Sequence, residues 1–195
     1  QCVEDLAAIG ALVRLVVHLP LHDVRTGVTF LPQSRELVGA QGRDSLGIVG
    51  MGRIGQAVAR RAQGFGMRVL YHNRRRLDAA LEKALGVVWV ELPTLLQRAD
   101  FVSMHVPLTP ETTHLISEVE LRMMQPTAYL INTARGAVVD ERGLVRALTE
   151  GWIAGAALDV FEREPEISQA LLALDNVVLV PHIGSASVAT RTKMA

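Results

Sequence analysis

"LGIVGMGRIGQAVARRAQGFG", residues 46–66, is the stretch whose reading decides the fold. Its first four residues form a short apolar run, the pattern of a strand buried on both faces. Three glycines follow, Gly50, Gly52 and Gly55, and then a helix-like segment opens at Arg53. A lone GxGxxG is weak evidence, but between a strand and a helix it marks a dinucleotide-binding turn. Gly50 allows the tight turn, Gly52 lets a pyrophosphate approach the backbone, and Gly55 lets helix and strand pack closely. Arg53 and Ile54 complete the loop. The helix start offers N–H groups and a positive dipole end to the phosphates.

The same rhythm continues outward. Apolar runs stand at 68–72 (RVLYH), 87–90 (VVWV), 101–106 (FVSMHV), 128–132 (AYLIN), 154–160 (AGAALDV) and 177–181 (VVLVP). Helix-like stretches lie between several of them, at 53–65, 78–85, 117–124 and 140–150. Alternation of this kind predicts an α/β fold, a Rossmann-type doubly wound parallel sheet with helices on both faces. Upstream, Leu6, Ile9, Val13, Val16 and Val17 recur at helical spacing, and the glycines and prolines of 20–44 read as a loop. The chain is read as a helical arm and loop over 1–44 and a dinucleotide-binding core over 45–195. The helix at 4–19 is apolar on several sides and predicts burial, against a partner subunit or against a further domain of the full-length protein.

"YHNRRR", residues 71–76, gives the core its cofactor preference. The residue about 20 positions past the glycine loop meets the adenosine ribose, and a carboxylate there selects NAD. Asn73 stands at that place with Arg74, Arg75 and Arg76 behind it. Asn73 can bond the ribose, and a guanidinium can fork onto a 2′-phosphate. The expectation is NADP (NADPH) preferred and NAD possible, with Arg74 or Arg75 the main contact and Arg76 solvated.

Composition excludes other classes. The chain has 20 basic and 20 acidic residues and a formal net charge of zero, against a nucleic-acid partner. One cysteine excludes internal disulfides and a cysteine-based zinc site, and no metal site is expected. No apolar run is long enough to span a bilayer, since Arg14 interrupts the best candidate at 6–19, and no signal peptide is apparent. A cytoplasmic location is the expectation.

Three further stretches carry chemistry: "INTARGAVVDE" (131–141), "GAALDVFEREP" (155–165) and "VVLVPHIGSA" (177–186). Each starts in a predicted strand and breaks into a loop at its carboxyl end, the edge where ligands bind in an open α/β sheet. Arg135, Asp159, Glu164 and His182 therefore converge beside the nicotinamide.

With "HVPLTPETTHLI" (105–116), these motifs resemble the D-2-hydroxyacid dehydrogenase family, within it most the glyoxylate/hydroxypyruvate reductase and 2-ketogluconate reductase branch, whose members usually prefer NADPH. The resemblance implies reduction of a small 2-keto acid (glyoxylate, hydroxypyruvate or 2-ketogluconate) to the D-2-hydroxy acid. It implies Arg135 as the substrate-carboxylate arginine, His182 as proton donor and Glu164 as its paired acid, with Glu162 rejected on family spacing. Asp159 matches the residue that accepts from the nicotinamide carboxamide. His105, Val106, Pro107, Thr112, Thr133, Ala134 and Gly184 match cofactor-lining positions, which Arg135 and His182 share. The family also implies a substrate domain that this chain lacks, and a homodimer as the full-length protein. The alternatives are an NAD-dependent relative of phosphoglycerate or D-lactate type, and a nucleotide-sensing, corepressor-like binding module.

Overall fold

The structure, a computed structural model, describes residues 44–184, Thr192, and the backbone of residues 21–22 and 29–30. The apolar helix expected over 4–19 lies outside the described residues. Within the expected loop, β1 (Leu21–His22) pairs antiparallel with β2 (Thr29–Phe30).

Seven strands form one parallel sheet. They are β3 (Ser45–Val49), β4 (Arg68–His72), β5 (Val87–Trp89), β6 (Phe101–Met104), β7 (Tyr129–Asn132), β8 (Gly155–Leu158) and β9 (Val177–Leu179). Their order is β5-β4-β3-β6-β7-β8-β9. The chain winds outward from β3 to β5, then returns to β6 on the other side of β3. That reversal opens a crevice at the carboxyl ends of β3 and β6, the ligand site of doubly wound sheets.

Both faces of the sheet are covered, which explains the unalternating apolar strands. Val49, Val102, Met104, Leu130 and Leu158 point to one face and pack with Leu95, Leu96, Leu121 and Leu144. Leu46, Ile48, Val69, Tyr71 and Ile131 point to the other and pack with Ala57, Val58 and Ala62 of the helix Arg53–Gly64. Adjacent residues such as Ile48 and Val49 thus serve opposite cores, as the two-residue strand period requires.

The expected helices appear as Arg53–Gly64, Ala79–Leu85, Glu118–Met123 and Glu141–Thr149. Their ends follow capping chemistry. Asp78 accepts from Leu81 N–H at 2.8 Å, and Gly86 closes that helix at φ +55°. Ser117 and Glu120 form a capping box. Two helices escaped the sequence reading. Leu92–Arg98 hides behind Pro93, which a helix tolerates in its first turn, and Gln169–Leu172 is a single turn.

Candidate active site

The glycine loop leaves β3 and enters the helix Arg53–Gly64. Gly50 has φ +100°, and a Cβ there would lie 2.7 Å from the His105 and Val106 backbone. A Cβ on Gly55 would lie 2.3 Å from the Gly50 carbonyl oxygen, so helix and strand touch at that point. Gly52 differs from both, because a Cβ there would meet nothing within 4 Å. That open space lies at a helix start without a side-chain cap. Arg53 is exposed in the first turn, while Ile54 packs on the core below.

Across the crevice, His105 N–H donates to Val49 O at 2.8 Å, and the His105 ring meets Ser103 Oγ at 2.9 Å. Burial pushes His105 down to about 4, so its ring is neutral near pH 7. Val106 packs on the core and Pro107 is exposed. Thr112 closes this loop, its hydroxyl donating to Pro107 O at 2.6 Å and accepting from Thr109 N–H at 2.8 Å.

The arginine turn follows β4. Asn73 Oδ1 accepts from Met51 N–H at 3.4 Å, which ties the turn to the glycine loop. Arg74 and Arg75 are exposed, and neither side chain has a hydrogen bond or ion pair among the described residues. The expectation that Arg76 is merely solvated fails. Arg76 forks onto Glu82, Nε to Oε1 at 2.8 Å and Nη2 to Oε2 at 2.7 Å. The carboxylate on the next helix captures it, a contact invisible in the spacing of the arginines.

At the other end of the crevice, β7 runs into Thr133, Ala134 and Arg135. Asn132 is 1% exposed; its Oδ1 accepts from Ala134 N–H at 3.1 Å and its Nδ2 donates to Arg135 O at 3.0 Å. Sequence reasoning missed this clamp, although a polar residue ending an apolar strand was its signal. The Arg135 guanidinium is exposed and donates to Ala134 O at 2.7 Å. Thr133 Oγ1 is buried and has no partner among the described residues, which is costly unless a ligand supplies one.

His182 Nδ1 and Glu164 Oε2 lie 2.8 Å apart. Glu164 Oε1 accepts from Phe161 N–H at 3.1 Å. Burial pushes the Glu164 carboxyl up, but the hydrogen bonds from His182 and Phe161 N–H and the charges of His182 and Arg135 outweigh it. The carboxyl sits below its ordinary value. Glu162, two residues earlier, turns away to His114 Nε2 at 2.9 Å. Asp159 is 2% exposed and its two oxygens accept from Ile183 and Gly184 N–H, both at 2.7 Å. It thereby anchors the loop that carries His182. A Cβ on Gly184 would lie 2.7 Å from Asp159 Oδ2. A cleft of about 510 Å³ opens beside His114 and Glu162, and neither the glycine loop nor His182 lines it.

The open space at Gly52, the uncapped helix start and the orphaned Thr133 hydroxyl together fit a dinucleotide laid across the carboxyl edge of β3, β6 and β7. The family described as D-isomer specific 2-hydroxyacid dehydrogenase, NAD binding domain, matches residues 10–184. The chain belongs to this family. It is 58% identical over 151 residues to a glyoxylate reductase of Thermococcus litoralis, covering 77% of this chain and 45% of that one. A glyoxylate reductase of Korarchaeum cryptofilum is 61% identical over 152 residues, covering 77% and 46%. Among solved structures, the NADPH-dependent glyoxylate/hydroxypyruvate reductase of Sinorhizobium meliloti in complex with NADP and malonate is similar at a TM-score of 0.84. It is 36% identical, covering 100% of this chain and 61% of that one. The chain thus spans about half the length of the curated relatives it matches. Among the described residues, no helix is long and apolar enough to cross a membrane, and no cluster of potential ligands could hold a metal ion.

Proposed function

We propose that this chain is the cofactor-binding part of a reductase that converts a small 2-keto acid to the D-2-hydroxy acid with NADPH. Glyoxylate, hydroxypyruvate and 2-ketogluconate are the substrates in view. The observation that carries this reading is the His182–Glu164 pair at the carboxyl edge of the sheet, close enough to Arg135 for its charge to act on Glu164. The names printed for the reductase relatives support it.

Each residue has one task. Arg135 forks onto the substrate carboxylate and holds the keto group in place. NADPH, when bound, supplies the hydride to the carbonyl carbon. His182 gives its proton to the carbonyl oxygen; with Nδ1 engaged by Glu164, Nε2 is the donor. Ionised Glu164 fixes the ring and balances its charge. In the reverse direction His182 takes the proton back.

The remaining residues hold the cofactor. Gly52 and the start of the Arg53–Gly64 helix receive the pyrophosphate. Asn73 meets the adenosine ribose, while Arg74 and Arg75 take the 2′-phosphate. Thr133 Oγ1 and Asp159 serve the nicotinamide end, with His105, Val106, Pro107, Thr112, Ala134 and Gly184 lining the site. The intact protein is a homodimer in this reading, supported by the apolar pattern at 4–19.

The test is NADPH oxidation by the intact protein over a panel of 2-keto acids, with His182→Ala beside it. Reduction of glyoxylate or hydroxypyruvate, lost in His182→Ala while NADPH still binds, is the expected result. No oxidation with any keto acid, or near-normal turnover of the variant, overturns the reading.

A further inference from the structure

The run Asn73–Arg76 is pinned at both ends. Upstream, Trp89 Nε1–H donates to Asn73 O at 3.3 Å, and Asn73 Nδ2 donates to Arg75 O at 2.8 Å. Downstream, Leu77 N–H donates to the Tyr71 hydroxyl at 2.9 Å, and that hydroxyl donates to Glu82 Oε1 at 2.6 Å. Glu82 also receives the fork of Arg76, whose guanidinium lies 5.9 Å from the Trp89 ring centroid.

Glu82 is only 9% exposed and Tyr71 is 0% exposed. A carboxylate this buried persists only if fully paired, and here three donors satisfy it. The assembly draws on β4, β5 and the Ala79–Leu85 helix, so it is stiff where the turn itself is exposed. Two guanidinium heads, Arg74 and Arg75, remain outside it.

We infer that the Glu82–Arg76 pair is a positioning latch that sets the preference for a 2′-phosphorylated dinucleotide. It withdraws Arg76 from the ligand and holds the Asn73–Arg75 turn in the geometry that presents Arg74 and Arg75 to the phosphate. Arg76 is therefore a brace and not a phosphate ligand. This rests on the reading that Arg74 and Arg75 meet the 2′-phosphate. A preformed turn loses less freedom on binding, and that gain falls chiefly on the phosphorylated cofactor, which alone meets Arg74 and Arg75, while both nucleotides share the ribose contact of Asn73.

NADPH and NADH are titrated into the intact protein by nucleotide fluorescence, with the variants Arg76→Ala, Glu82→Gln, their double, and Arg74→Ala/Arg75→Ala. Each single latch variant weakens NADPH about tenfold and NADH no more than about twofold, and the double is no worse than either single. If Arg76 is a phosphate ligand, Glu82→Gln frees it and NADPH binding holds or tightens while Arg76→Ala weakens it; that result overturns the latch. Additive losses, or equal losses for both nucleotides, overturn it too.

Should Glu82→Gln not fold, Arg76→Lys replaces it. This substitution lies at an exposed side chain, keeps the charge, and cannot span both carboxylate oxygens. The same NADPH loss is expected, and unchanged NADPH affinity overturns the latch. The Arg74→Ala/Arg75→Ala arm tests the underlying reading separately. If NADPH preference persists there, the 2′-phosphate assignment fails, whatever the latch variants do.

Discussion

Glu164 Oε2 sits 2.8 Å from His182 Nδ1, while Glu162, two residues earlier in the chain, faces His114 instead. The two carboxylates share a turn but serve different histidines. The Phe161 N–H holds Glu164 in place, and a Cβ on Gly136 would lie 1.9 Å from the Phe161 carbonyl carbon. The Arg135 loop and the Glu164 loop are therefore packed backbone on backbone, and the two side chains are positioned together.

Glu164→Gln lowers kcat for keto-acid reduction by about 100-fold, and His182→Ala by about 10⁴-fold, the range for loss of a positioned proton donor. NADPH affinity stays within a factor of about two in each, because neither change touches the phosphate end of the site. Steady-state kinetics with a parallel nucleotide titration checks this. A matching loss of NADPH binding would falsify the division of roles.

Arg135→Lys raises KM for the keto acid more than it lowers kcat. An ammonium keeps the charge but cannot fork onto a carboxylate. The loss in kcat/KM is about 100-fold, equivalent to about 2.7 kcal/mol. A variant with unchanged KM would remove Arg135 from the substrate.

The glycines separate stability from binding. Gly55→Ala sets a methyl 2.3 Å from the Gly50 carbonyl oxygen and destabilises the fold by about 3 kcal/mol. Gly52→Ala meets nothing in the protein and leaves the melting temperature unchanged, yet weakens NADPH at least about tenfold by filling the phosphate space. Thermal melts and nucleotide titration of both variants distinguish the two effects. A Gly52→Ala protein that binds NADPH normally moves the pyrophosphate elsewhere.

Acid stability has two windows. Burial lowers the His105 value from 6.5 to about 4, so the unfolded chain binds this proton before the folded one does. Stability from the neutral ring is complete above pH 6.5 and is lost as pH falls through about 4. The Glu82 value is lowered from 4.5 to about 2, chiefly by the Arg76 and Tyr71 hydrogen bonds. Its contribution is complete above pH 4.5 and is lost as pH falls through about 2. Melting temperatures between pH 7 and 5 fall less steeply in His105→Asn than in the parent. The gap between the parent and Glu82→Gln narrows only below pH 4.5. Parallel slopes for His105→Asn and the parent above pH 5 would count against a buried neutral His105.

The sequence by itself determined the sheet and its cofactor edge. Apolar runs such as "LGIV" and glycines spaced as in "GMGRIG" are local patterns, and a strand buried on both faces has few other ways to be written. Only the tertiary structure decided which polar groups meet. Arg76 found Glu82, six residues on and across a turn. Asp159 found the backbone N–H groups of Ile183 and Gly184, and Asn132 clamped the Arg135 loop. Hydrogen bonds are short and directional, so they depend on ångström-scale placement that periodicity does not encode. Burial is non-directional and repeats with the chain, which is why it can be read from sequence.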